Sequence, residues 1–203
     1  MKLRWAPASP FVRKVTVTAL EIGIDSRIER VATDYHDPKS DIIEHNPLGK
    51  VPALIRDDGS VLVDSPVICA YLDSLGGDAH VIPPDGEARW QALQLEGLAD
   101  GLLEQAIAVQ RERGRPEDKR WQTATDRAWA KVERTLDWIE ADPAMLEGKV
   151  DIGQIALGCA LGWIEYRMSE MLGDWRARWP AVGSWYDGFA ARPSMRATAP
   201  VAA

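Results

Sequence analysis

Over the first eighty residues the apolar positions change period often, and after them they settle into a helical rhythm. Lys2 to Trp5 is a short extended run. Val12, Val15, Val17 and Leu20 predict a helix from Pro10 to Gly23, with Gly23 as its stop. Arg27 to Ala32 is a second short strand, and Asp37 to His45 a weak polar helix or turn. Between Lys50 and Asp64 two apolar runs flank Asp58-Gly59, a strong hairpin signal. Ser65 to Leu75 is a helix closed by Gly76-Gly77. The order β-α-β-α-β-β-α predicts a small mixed sheet with helices packed on it.

Pro83, Pro84 and Gly86 mark a linker, which sets expected domains at residues 1–78 and 86–203, the second all-helical. Glu87 to Arg113 is one long helix, broken by Gly114 and Pro116. Trp121, Thr125, Ala128, Val132, Leu136 and Ile139 form one face of the next. Asp151 to about Ser169 is apolar nearly all round, as a helix at the centre of a bundle is. Trp179 to Ala191 is a fourth helix, bounded by Pro193, and a loose tail is expected from Thr198 to Ala203.

Composition narrows the classes. The chain has 203 residues, 46% of them hydrophobic and 27% charged, which is the balance of a globular protein with a real core. A net charge of −7 argues against nucleic acid or an anionic membrane as partner. No apolar run is long enough to span a bilayer, and the opening MKLRWAPASP lacks the apolar stretch of a signal peptide. Cys69 and Cys159 form neither a metal spacing nor a disulfide framework, so a cytoplasmic location is expected. The three histidines are too scattered for a metal site, and none is expected. Nine tryptophans, seven of them between Trp121 and Trp185, predict aromatic packing in the second half.

Three places can carry chemistry. Ser9-Pro10 and Ser65-Pro66 each read as a helix N-cap with proline at the first helical position. Either hydroxyl can simply cap its helix, but a helix N-terminus also suits an anion. Ser9 could face a thiolate or a phosphate. Ser65 could hold a carboxylate while Asp64 meets an ammonium group, a pair that suits an amino-acid zwitterion. Pro52, after Val51, marks a sheet edge, a first strand residue or a cis turn.

The segments Ser9-Pro-Phe-Val-Arg-Lys-Val15, Asn46-Pro-Leu-Gly-Lys-Val-Pro-Ala-Leu54 and Asp64-Ser-Pro-Val-Ile-Cys-Ala-Tyr-Leu72 resemble the three N-terminal motifs of cytosolic glutathione transferases. Their order, their spacing and the helical second half match over nearly the whole chain. The Ser-Pro-Phe start is most similar to serine-type members, such as the tau class and small bacterial relatives. The resemblance implies a thioredoxin-like domain followed by an all-helical one, usually a homodimer, with glutathione as co-substrate and no further cofactor. By position, the resemblance implies that Ser9 is the catalytic partner of the thiolate and that Ser9 and Phe11 belong to the glutathione-binding set, with Pro52 in it as well. Val51, ahead of Pro52, binds the cysteinyl backbone, Asp64 and Ser65 the γ-glutamyl end, and Lys39 the glycyl carboxylate. The family usually opens its central C-terminal helix with Ser or Thr and puts Asp three residues on. Here Asp151-Ile-Gly-Gln154 exchanges the types and still reads as a capping box.

The activity implied is attack of the glutathione thiolate on a small electrophile, in detoxification. A free thiol titrates near 8.5, and a hydroxyl donating to sulfur at a helix N-terminus lowers that value. Gln105, Val109 and Arg113 are candidates for the second-substrate cleft. Cys69 and Cys159 read as buried hydrophobes, and the absence of cysteine at position 9 disfavours a thiol-transferase mechanism. The alternative is a glutathione-binding protein with little or no transferase activity, acting as a stress-linked or partner-binding module. A purely structural domain of this fold would have no need of Asp64-Ser65 and Val51-Pro52.

Overall fold

The computed structural model describes residues 1–200, which form two compact units. One contains Met1–Pro84 and the described residues from Pro193 onward, the other Asp85–Arg192.

In the first unit, β1 (Lys2–Trp5) leads to α1 (Pro10–Glu21), then to β2 (Glu29–Ala32), β3 (Ala53–Ile55), β4 (Val61–Val63) and α2 (Ser65–Ser74). The four strands lie in the order β2-β1-β3-β4, with β2 parallel to β1 and the other pairings antiparallel. This is a thioredoxin-like sheet, followed in the chain by a helical unit. The polar stretch 37–45 contributes only a 3-10 turn at Asp41–Glu44, where Ile42 alone is buried. One apolar anchor is too few to hold a longer amphipathic helix on the sheet. The β3–β4 hairpin turns at Asp58-Gly59, and Gly59 takes a φ of 83° that favours glycine. Val15, Val17 and Ala19 of α1 and Ile68, Cys69 and Leu72 of α2 are buried, and the two helices pack together.

The second unit is built on α3 (Gly86–Arg113), α4 (Gln122–Ala141), α5 (Ile152–Leu172), a short α6 (Trp175–Arg178) and α7 (Pro180–Ala190). Every residue of α5 from Ile152 to Ile164 is buried, so it is the central helix, packed chiefly on α3. Gly153 makes the close approach: a Cβ there would lie 2.6 Å from the Ala92 carbonyl oxygen and from Leu95 Cβ. Asp151 caps α5, its Oδ1 accepting from the Gln154 N–H at 2.9 Å. The Gln154 side chain does not complete a reciprocal box. Its amide donates instead to the Leu146 and Glu147 carbonyls, both at 3.1 Å, pinning the turn before the helix.

The aromatic surplus divides. Trp163, Trp175 and Trp179 are buried, whereas Trp90, Trp121 and Trp138 are exposed. Trp121 therefore drops out of the buried face of α4, because it precedes the helix rather than sitting in its register. Charged groups tie two of the buried three: the Arg176 guanidinium lies over the Trp175 ring and pairs with Glu165 and Asp187, while Trp179 Nε1 donates to Asp137 at 2.7 Å.

After Pro193 the chain forms one more short helix, α8 (Pro193–Ala197), which packs on α1. Arg13 holds it, with Nη2 donating to the Met195 carbonyl at 3.0 Å and Nε to Thr198 Oγ1 at 3.3 Å. The expected loose tail is thus anchored at Thr198, and its last three residues lie outside the described residues. No described helix is long and apolar enough to cross a membrane.

Candidate functional site

Strand register gathers the motif residues at one end of the sheet. Arg4 pairs with Ala53, so the end of β1 lies beside the start of β3, and Ala53 pairs with Val63, which brings the end of β4 there too. Trp5 pairs with Ala32 in the parallel direction, so the loop after β2 leaves from that same end. The segments carrying Ser9, Lys39, Val51-Pro52 and Asp64-Ser65 therefore emerge together. Helices α1 and α2 both begin there, each presenting free N–H groups and a positive dipole end.

Ser9 is the N-cap of α1, with Pro10 behind it in the first turn. Its Oγ accepts from the Val12 N–H at 3.3 Å, which leaves the hydroxyl hydrogen to donate beyond the helix. The residue is only 7% exposed, and Phe11 beside it is half-buried.

At α2 the cap is Asp64, not Ser65, which is the first helical residue. The Asp64 carboxylate accepts from the Ser65 N–H at 2.7 Å and takes over the capping role. Asp64 has φ 61° and ψ 156°, the one positive φ outside glycine among the described residues. The Ser65 side chain, relieved of capping, is fully buried, and its Oγ has no hydrogen-bond partner among the described residues.

The Val51-Pro52 peptide bond is cis, directly ahead of β3, and both residues are buried. Lys39 is exposed on the loop after β2, its own N–H held by Asp37 Oδ1 at 2.8 Å. No hydrogen bond or ion pair among the described residues joins its side chain to Ser9, Val51, Asp64 or Ser65. Nor does any group of three metal-ligating side chains assemble among the described residues.

Sequence reasoning passed over Arg4. Its guanidinium is buried and grips Asp41 through both nitrogens, with Nη1 to Oδ2 at 2.9 Å, while Nε donates to Thr33 Oγ1 at 2.9 Å. The Asp41 carboxyl is held below its ordinary value chiefly by that hydrogen bond. The pair ties the stretch between β2 and β3 to the sheet. An arginine inside a short apolar strand was the available signal, because such a charge needs a carboxylate nearby. In the helical unit, Val109 is fully buried and Gln105 accepts from Lys131 Nζ at 3.1 Å. Of the three cleft candidates, Arg113 lines a surface cavity at the end of α3. Cys69 and Cys159 are both buried, and neither is in a disulfide among the described residues.

Residues 8–75 match the family description "Glutathione S-transferase, N-terminal domain", and residues 122–188 match "Glutathione S-transferase, C-terminal domain". The chain belongs to the glutathione transferase family. It is 31% identical over 170 residues to the uncharacterised GST-like protein YibF of Escherichia coli strain K12, covering 82% of this chain and 83% of that one. A glutathione transferase family member from Pseudomonas fluorescens Pf-5, solved with bound glutathione, superposes with a TM-score of 0.93 at 38% identity, over 99% of both chains. A structure of a family member from the same source holds S-(propanoic acid)-glutathione, with a TM-score of 0.90 and 39% identity over 100% of both chains.

Proposed function

We propose that this family member is a catalytically active, serine-type glutathione transferase. Glutathione binds at the gathered end of the sheet. The Val51 backbone, ahead of Pro52, takes the cysteinyl peptide, and Asp64 takes the γ-glutamyl ammonium. The Ser65 hydroxyl and the first amides of α2 receive the γ-glutamyl carboxylate. Lys39 reaches the glycyl carboxylate, and Phe11 flanks the thiol.

The carrying observation is the Ser65 hydroxyl, fully buried at a helix N-terminus with no hydrogen-bond partner among the described residues. Leaving such a group unpaired costs about 1–3 kcal/mol, and a ligand carboxylate supplies the missing acceptor. The relatives solved with glutathione and with an S-substituted glutathione support the same ligand and a thioether product.

Ser9 then works without ionising. Its oxygen is already bound by the Val12 N–H, so its proton points to the sulfur and favours thiolate over thiol. Each unit by which the thiol pKa falls corresponds to about 1.4 kcal/mol. The thiolate attacks a small electrophile, in the cytoplasm, in a homodimer whose contact surface includes the exposed Ile43, Leu48 and Val67.

Calorimetric titration with glutathione tests binding, and thiolate absorbance of the bound tripeptide against pH tests activation. The bound thiol should titrate below the free one in the wild type, and Ser9→Ala should raise it. Two identical titration curves would leave Ser9 as a helix cap only, and glutathione binding without transfer would become the reading.

A further inference from the structure

We propose that Arg4 is a positioning residue for recognition of the glycyl end of glutathione, acting by closing the loop that carries Lys39. This rests on Lys39 meeting the glycyl carboxylate, as in the proposed function, and adds what makes that lysine ready to do so.

One guanidinium spans both ends of the loop. Residues 34–40 run between Thr33, which follows β2, and Asp41, which opens the 3-10 turn Asp41–Glu44. Arg4, on β1 and only 5% exposed, donates from Nε to Thr33 Oγ1 at 2.9 Å. Its Nη1 donates to Asp41 Oδ2 at 2.9 Å, and its Nη2 to Asp41 Oδ1. The Thr33 hydroxyl gives its own proton to the Val31 carbonyl at 2.9 Å, which leaves its oxygen to accept from the guanidinium. The rigid fork of arginine makes both sets of bonds at once. Ile42 alone is buried in the turn, and a single apolar contact is non-directional, so the guanidinium fixes how the loop end faces. The entropy of closing the loop is thus met on folding and not at binding, which is what preorganisation means.

The second effect is electrostatic. Lys39 shares its stretch with Asp34, Asp37 and Asp41, yet its side chain forms no ion pair among the described residues. Each acid is engaged elsewhere. Asp34 Oδ1 accepts the His36 N–H at 2.9 Å, Asp37 Oδ1 accepts the Lys39 N–H at 2.8 Å, and Asp41 is gripped by Arg4. Asp41 stands two positions after Lys39, at most about 7 Å along the chain, so its carboxylate, once released, competes with a ligand carboxylate for the ammonium. Arg4 therefore both places Lys39 and keeps its nearest competitor occupied.

The test is calorimetric titration of the full chain with glutathione and with its C-terminal amide, whose glycyl carboxylate is a neutral carboxamide. Wild type should bind glutathione about three- to fivefold more tightly than the amide, the scale of an exposed ion pair. Lys39→Ala should bring the two affinities together. Arg4→Met should do the same while leaving affinity for the amide within about twofold of wild type, which a general loss of fold would not do. Asp41→Ala opens the loop from its exposed side and should also lower the preference, and it carries the test if the Arg4 variant does not fold. Full preference retained in Arg4→Met or in Asp41→Ala overturns the proposal, as does equal weakening of both ligands. A wild type that binds both ligands alike overturns it through Lys39, with glutathione binding at Asp64 and Ser65 still standing. Binding of neither ligand removes the glutathione reading itself, and this proposal with it.

Discussion

Asp64 accepts the Ser65 N–H at 2.7 Å from a backbone conformation, φ 61° and ψ 156°, that is nearly reserved for glycine. Holding a side chain there costs about 1–3 kcal/mol, while exchanging Asp for Gly at an N-cap costs only a few tenths. Stability alone therefore favours glycine, and the retained carboxylate points to a ligand charge. Asp64→Gly should melt at or above the wild-type temperature yet bind glutathione about tenfold or more weakly. On the proposed function, in which Asp64 meets a charge and Ser9 only tunes a thiol, Asp64→Ala should weaken binding more than Ser9→Ala. Unchanged affinity in both Asp64 variants, measured by calorimetry, removes the γ-glutamyl assignment.

Ser9 sits where a second sulfur would be activated by the same helix N-terminus. Ser9→Ala should slow conjugation at neutral pH by about 10- to 100-fold, or about 1.4–2.8 kcal/mol of transition-state stabilisation. Ser9→Cys should lose conjugation as well and gain mixed-disulfide chemistry with glutathione. Mass spectrometry of the variant after incubation with oxidised glutathione reads this directly. A glutathione adduct on the introduced thiol is the expected outcome, and an unmodified chain would show that position 9 does not face the bound sulfur.

Leu48 is 71% exposed and Ile43 65%, both in the stretch between β2 and β3. Large apolar side chains this exposed, close together in sequence, are expected to be covered in a dimer. Leu48→Asp should shift the mass seen by light scattering at micromolar concentration from dimer toward monomer. A wild-type chain that is already monomeric defeats the dimer proposal.

The run of strands and helices and the helical half were legible because periodicity and the Asp58-Gly59 turn are local signals. The gathering of Ser9, Pro52 and Asp64 at one sheet end depends on the strand order and register, which pair residues far apart in the chain. What escaped was decided between distant residues. Arg4 meets Asp41 and Thr33 across the sheet, and Arg13 meets α8, separated by 182 residues from the Met195 carbonyl it binds. The choice between Asp64 and Ser65 as cap turned on a backbone angle that no composition rule reports. Tryptophan count could not tell Trp163, in the centre of α5, from Trp121, ahead of α4, because burial depends on register within a helix.

Asp151 caps the central helix at a cost that depends on pH. Burial pushes its carboxyl above the ordinary value, against the pull of the Gln154 and Gly153 N–H groups. A folded-state pKa above the unfolded one means that the protonated form is favoured by folding. The corresponding stability is fully present below the unfolded value, near 3.8, and is lost as pH rises through the folded value. Asn keeps an oxygen acceptor for the Gln154 N–H without a charge to bury. At neutral pH Asp151→Asn should therefore be at least as stable as wild type, and its advantage should shrink as pH falls toward about 4. Asp151→Ala loses the acceptor and should cost about 1 kcal/mol at either pH. Thermal unfolding of the three chains at the two pH values checks the ordering. An Asn variant less stable than wild type at neutral pH would mean that the charge itself, through the α5 dipole, outweighs its burial.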